Sequence, residues 1–247
     1  MPDPLFRALL PSLRRTARRV DTVERGRGHP YNGVRMTAKS PAGSFEEFQQ
    51  RAHELVDAGR LLYGRGMVPA TSGNFSARLS DGRIAITVSG AHKGRMRESD
   101  IMVVDAQGAA LDARRPSAET LLHIQIYRNH PDAMVVLHPH SVNATVLSRF
   151  SGDELVLRDY ELLKAFPGID THERTVTVPV FANDQDIVRL ARRIDDYLEA
   201  HDPMYGYLIE GHGFYTWGAG IDDALRHVEA FEFLFECEIC SRGMERS

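Results

Sequence analysis

The stretch NFSARLSDGRIAITVSG, residues 74–90, does most to restrict the fold, because two runs of alternating apolar and polar residues flank an Asp81-Gly82 pair. Period-two alternation suits strands with one buried face, and Asp-Gly between such runs marks a hairpin. IMVVDAQG reads as a third strand; AMVVLH, TVTVPVF and the two runs inside YGYLIEGHGFYTWG read as further ones. The strands form a hairpin and a meander with helices interspersed irregularly, without regular β-α-β alternation. An α/β fold follows, with a largely antiparallel sheet covered by helices.

Helical periodicity first appears in SFEEFQQRAHELVDAGRLLYGRG, where Ser44 and Glu47 have the spacing of a capping box and Phe45, Phe48, Ala52, Leu55 and Val56 share a face. The folded domain is therefore expected over residues 45–247. Further helices are expected after Pro116, with Ser117 as N-cap, from Ser141, within DYELLKAFPG, over DQDIVRLARRIDDYLEA and from about Asp222. A chain of 247 residues, 43% hydrophobic, can bury one sizeable core.

Charge is uneven. Residues 1–44 hold nine Lys/Arg against three Asp/Glu, within a chain of net charge −4. The segment lacks the Ser enrichment of a transit peptide and the interleaved aromatics of a nucleic-acid arm, so a flexible basic extension is expected and no nucleic-acid partner. Every apolar run is broken by polar residues well short of a membrane span, which makes the cytoplasm the expected location. The only cysteines, Cys237 and Cys240, end an apolar-periodic helix and are expected as free thiols in a reducing compartment.

VVLHPHSVNATV places His138 and His140 at the end of a strand, where side chains i and i+2 share a face. Such a pair either ligates a metal or is simply two hydrogen-bonded histidines; His212, between two glycines in EGHGF, tips the reading toward a metal. Three neutral imidazoles with an open fourth position suit a catalytic zinc, although imidazole also suits other transition metals. The remaining histidines, including His123, His172 and His227, lack such a context and are expected to be structural or exposed. Ser72, Gly73 and Asn74 in PATSGNFS and Ser89, Gly90 and Lys93 in VSGAHKGR form two small-residue turns suited to a phosphate, with Ser117 at a helix start. Glu119 and Glu161 are the acid/base candidates, and spacing alone does not choose between them.

ATSGNFSARL, ITVSGAHKGRM, PSAETLLH, VVLHPHSVNATVLS, YELLKAF, VPVFANDQDI and GYLIEGHGFYTWG occur in this order. With them the chain resembles the class II aldolase family over roughly residues 45–242, and HSVNATVLS, YELLKAF and FANDQDI turn the resemblance toward its dehydratases. The resemblance implies an α/β/α fold and a homotetramer with sites near subunit interfaces. It implies Zn2+, one per subunit, on His138, His140 and His212, with Glu161 as acid/base. Ser72, Gly73, Asn74, Ser89 and Gly90 would hold a phosphate, with Lys93, Ser117 and Glu119 lining the substrate site. The implied activity is dehydration of 5-methylthioribulose 1-phosphate in methionine salvage. The alternatives are aldol cleavage or epimerisation of another sugar phosphate, or a non-catalytic scaffold. Pro139 departs from the residue with a backbone N–H usual between the paired histidines, so a local hydrogen bond is expected to be missing there.

Overall fold

The computed structural model describes residues 42–201 and 204–244. The expected basic extension, up to residue 41, lies outside them. Eight strands form one sheet: β1 (Asn74–Arg78), β2 (Ile84–Thr87), β3 (Ile101–Val104), β4 (Val135–His138), β5 (Glu154–Arg158), β6 (Thr175–Phe181), β7 (Gly206–Ile209) and β8 (Gly213–Gly218). Their order across the sheet is β3-β2-β1-β4-β8-β7-β6-β5. Every pairing is antiparallel except β6 with β7, which are joined by a helical crossover.

Five α-helices cover the sheet: α1 (Ala42–Gly64), α2 (Thr120–Asn129), α3 (Val142–Ser148), α4 (Ile187–Ala200) and α5 (Ile221–Met244). Alternation along the strands sorts their side chains into two cores. Phe75, Ala77, Val135, Leu137 and Leu208 pack with Leu55 of α1, Leu147 of α3 and Phe231 of α5. Ile84, Ile86, Val136, Tyr207 and Ile209 pack with Ile126 of α2 and Ile194 of α4 on the other face. The architecture is the expected α/β/α with a mainly antiparallel sheet. Helix starts follow local chemistry: Ser141 Oγ accepts from the Ala144 N–H, Asp186 from the Arg189 N–H, and Asp222 and Asp223 stand at the positive end of α5.

Three expectations require correction. α1 begins at Ala42, so Ser44 lies inside it, and the Glu47 carboxylate accepts instead from the Ser80 N–H and hydroxyl, tying α1 to the β1–β2 hairpin. Phe45, expected on the buried face, is 61% exposed. Ser117 does not cap α2, which starts three residues later; its Oγ accepts from the Glu119 N–H at 3.3 Å in a turn that precedes the helix. β5 was not expected at all. The 3₁₀ turn Glu161–Ala165 occupies the place of the short helix before Pro167-Gly168. Among the described residues no helix is long and apolar enough to cross a membrane.

Candidate metal centre and substrate cavity

Sheet order brings the chemically capable residues to one edge. β4 runs antiparallel to both β1 and β8, so the end of β4 meets the starts of its two neighbours: Asn74 pairs with His138, and Gly213 opens β8 beside them. β2 runs antiparallel to β1, which carries Thr87 and the turn Ser89-Gly90 to the same edge. His212 sits on the tight β7–β8 turn, where Gly211 takes φ +63° and the His212 N–H donates to Ile209 O. α3 braces that turn: Thr145 Oγ1 donates to His212 O, and the Gly211 N–H donates to Ser148 Oγ. Pro139 falls one residue past β4, outside its paired register. Its carbonyl accepts from the Phe214 N–H, and the His140 N–H reaches Met67 O, so the strand end stays anchored.

The three imidazoles point inward with their Nε2 atoms. His140 Nε2 lies 2.8 Å from His138 Nε2 and 3.1 Å from His212 Nε2. His138 Nδ1–H donates to Phe214 O at 2.8 Å, which leaves the lone pair on Nε2. A neutral imidazole has one donor and one acceptor nitrogen, so His140 Nε2 can satisfy only one of its two close neighbours by hydrogen bonding. A cation among the three satisfies all of them; tetrahedral Zn–N bonds of about 2.0–2.1 Å would set such nitrogens about 3.3 Å apart. Glu119 completes the cluster, with Oε2 3.3 Å from His138 Nε2 and Oε1 3.5 Å from His212 Nε2. The four ligand atoms all lie within 4.8 Å of one another. The donor set therefore fits a divalent transition-metal ion.

Electrostatics agree with neutral, ligand-competent rings. Burial pushes the His138 imidazole well below its ordinary pKa, aided by the neighbouring His212. His140 is pushed down to about 2, first by burial and then by its two histidine neighbours. His212 differs in one respect: its Nδ1 is buried without a hydrogen-bond partner.

A cavity of about 340 Å³ opens beside the cluster. Gly73, Asn74, Ser89, Gly90, Lys93, Ser117, Glu119, His140 and His212, nine of the twelve candidate residues, line it. His138 is fully buried behind its ring partners. Ser72 is not among the lining residues; its hydroxyl donates to Pro69 O and shapes the turn. The side chain of Asn74 faces Glu119 and His123. Lys93 is 1% exposed, and Nζ donates to Thr71 O and Ala91 O, joining the two small-residue turns; burial pushes the ammonium down to about 8.

Glu161 lies elsewhere. Its side chain is 74% exposed, pairs with Lys164 and stands 4.0 Å from His172. The Lys164 ammonium holds its carboxyl below the ordinary value. One chain thus brings Glu119, and not Glu161, to the imidazoles.

The sequence reading had not singled out Tyr215, whose hydroxyl reaches Glu119, or the 183–187 segment that lines the cavity. Asp184 holds that segment through Arg189, at 2.6 Å. The FANDQDI motif was the available signal for this segment, and no residue alternation pointed to Tyr215.

The family described as Class II Aldolase and Adducin N-terminal domain matches residues 53–239. A methylthioribulose-1-phosphate dehydratase of Methylococcus capsulatus is 63% identical over 200 residues, covering 81% of this chain and 98% of that protein. The protein of that name from Pseudomonas aeruginosa PAO1 is 60% identical, covering 80% and 98%. Among solved structures, the L-fuculose-1-phosphate aldolase of Thermus thermophilus is 25% identical with a TM-score of 0.65, covering 80% of this chain and 97% of that one. With its α/β/α sheet and the residues matched, the chain belongs to the class II aldolase family.

Proposed function

We propose that this protein dehydrates 5-methylthioribulose 1-phosphate to 2,3-diketo-5-methylthiopentyl 1-phosphate, a step of methionine salvage. The observation that carries the proposal is the convergence of three imidazole Nε2 atoms and a carboxylate on a cavity lined by two small-residue turns. The names of the relatives at 63% and 60% identity favour dehydration over aldol cleavage. The intact donor set argues against a scaffold, which has no chemical need for it.

His138, His140 and His212 would hold one zinc ion per subunit, which supplies Lewis-acid polarisation of the substrate's ketone. The reaction removes the C3 proton and the C4 hydroxyl as water, and the resulting enol becomes the diketone as C4 takes up a proton. Gly73 and Gly90 offer backbone N–H groups for the phosphate, Ser89, whose own N–H donates to Arg115 O, offers its hydroxyl, and Lys93 adds positive charge behind them. Binding at the phosphate, remote from C3 and C4, positions the reacting carbons. Glu161 is proposed to move a proton at C3 or at the departing hydroxyl, a role typically worth about 10²–10⁴-fold. Its side chain is exposed on one chain, and in the homotetramer we propose it would serve a neighbouring copy's site. The enzyme is proposed to work in the cytoplasm.

The test is mass-spectrometric product analysis with zinc-loaded protein and 5-methylthioribulose 1-phosphate, with and without a chelator. A loss of 18 mass units, abolished by the chelator, is the expected outcome. An unchanged substrate mass, or release of a smaller aldehyde, would reject dehydration in favour of epimerase or aldolase chemistry.

A further inference from the structure

A buried chain of hydrogen bonds runs from Glu119 through α2 and β1, away from the imidazoles. Glu119 Oε2 accepts from Asn74 Nδ2–H at 2.7 Å and from the Tyr215 hydroxyl at 3.0 Å. Behind Asn74, His123 Nε2–H donates to Asn74 Oδ1. His123 Nδ1 must then accept, and Ser76 Oγ–H supplies the proton at 2.7 Å. The single Ser76 hydrogen being committed there, the contact of 2.8 Å between Ser76 Oγ and the Tyr127 hydroxyl has Tyr127 as donor. Each bond thereby fixes the direction of the next. Reversing the Asn74 amide would set its oxygen against the Glu119 carboxylate.

The chain is dry. Ser76, His123 and Tyr215 are fully buried, Tyr127 is 5% exposed and Asn74 6%. Burial pushes His123 down to about 3, in keeping with a neutral ring. The Tyr215 ring lies between two others, stacked on His138 at 3.9 Å and on Tyr207 at 4.9 Å, so the direction of its hydroxyl is set by packing. A buried network satisfied at every member holds one arrangement, because each unmade bond in it costs the full desolvation of its group.

We propose that His123, acting through the Asn74 amide, and Tyr215 are positioning residues that clamp Glu119 Oε2 and thereby turn Oε1 toward the cavity. This rests on the reading that Glu119 works at the metal centre. Asn74, expected as a phosphate contact, is on this account a hinge between a histidine and a carboxylate. Without the clamp the carboxylate rotates, and the oxygen facing substrate is no longer fixed. Binding of substrate, which depends on the turns, would be little changed, whereas turnover would fall.

Three variants test this. His123→Phe removes both ring nitrogens, His123→Gln restores an N–H at the Nε2 position, and Tyr215→Phe removes one hydroxyl while keeping the ring stack. With zinc-loaded protein, kcat is expected to fall about 10–100-fold in His123→Phe and Tyr215→Phe, with KM within about twofold. Part of the loss should return in His123→Gln. The independent readout is 15N NMR of histidine-labelled protein, where His123 is expected as the Nε2–H tautomer with a slowly exchanging proton. Observation of the Nδ1–H tautomer overturns the chain; wild-type kcat in folded Tyr215→Phe or His123→Phe overturns the positioning role. Should His123→Phe not fold, Tyr215→Phe and His123→Gln carry the kinetic test. If the wild-type protein does not dehydrate the substrate, the proposed function fails, while the tautomer still decides the network.

Discussion

Gly213→Ala puts the convergence of strand ends to a quantitative test. Gly213 follows His212 directly, and a Cβ placed there would lie 2.3 Å from Pro139 O, 3.2 Å from His140 Cα and 3.3 Å from His138 Cε1. The nearest of these is backbone, so no side chain can swing aside. Reaching ordinary contact requires β8 and the end of β4 to separate by about 1 Å, the scale of overpacking that costs about 1–3 kcal/mol. For a chain of this size that lowers the thermal midpoint by about 2–4 °C per kcal/mol. The same shift moves His212 relative to His138 and His140, whose Nε2 atoms now lie 2.8–3.1 Å apart. A misplacement of about 1 Å at reacting groups costs about 10²-fold in rate. Metal content by plasma mass spectrometry, kcat/KM and thermal unfolding would be measured together, with Gly64→Ala as control, since a Cβ there meets nothing within 4 Å. Gly213→Ala with full metal content and wild-type kcat/KM would refute the argument that this close approach sets the site.

The other predictions concern single side chains. His138→Ala should lose both bound metal and activity, checked by metal analysis of the purified variant. Glu161→Gln should keep the metal and the thermal midpoint, because its close partners among the described residues, Lys164 and His172, are exposed, while losing turnover; a near-normal rate removes it from the mechanism. Lys93→Ala should raise KM and also destabilise, since Thr71 O and Ala91 O lose their donor. Because burial lowers the Lys93 pKa from 10.5 to about 8, folded protein sheds that proton before the unfolded chain does. Wild-type stability relative to Lys93→Met should therefore be lowest below pH 8 and rise between about pH 8 and 10.5. Urea titrations across that range check the sign, and a flat difference would contradict it.

What the sequence disclosed depended on how local the cause was. The hairpin about Asp81-Gly82, the strand ending at His138 and the Gly-His-Gly turn each follow from neighbours in the chain, and all formed where expected. β5 escaped because ELVLR carries three consecutive apolar residues, of which Val156 is 38% exposed on an edge strand, so its period of two is hidden. The α2 start was misplaced because Ser117 makes a turn with the Glu119 N–H instead of capping the helix. Which of Glu119 and Glu161 stands beside the imidazoles of its own chain depends on long-range topology, and no spacing along the chain contains that. Lys93 lines the cavity as its charge suggests, but its ammonium also donates to two carbonyls from separate turns, a structural role that the sequence does not disclose. His123 was set aside for lack of context, yet it stands four residues after Glu119, a spacing that brings two side chains to one helical face. That spacing was the available signal.

The central claim is that His138, His140 and His212 hold one divalent ion through Nε2. Anomalous diffraction at the zinc absorption edge, from crystals of protein purified without added chelator, tests it most directly. The account predicts one anomalous peak per subunit, within bonding distance of those three nitrogens and beside Glu119. No peak there from protein carrying stoichiometric zinc, or a peak held by other residues, would contradict it.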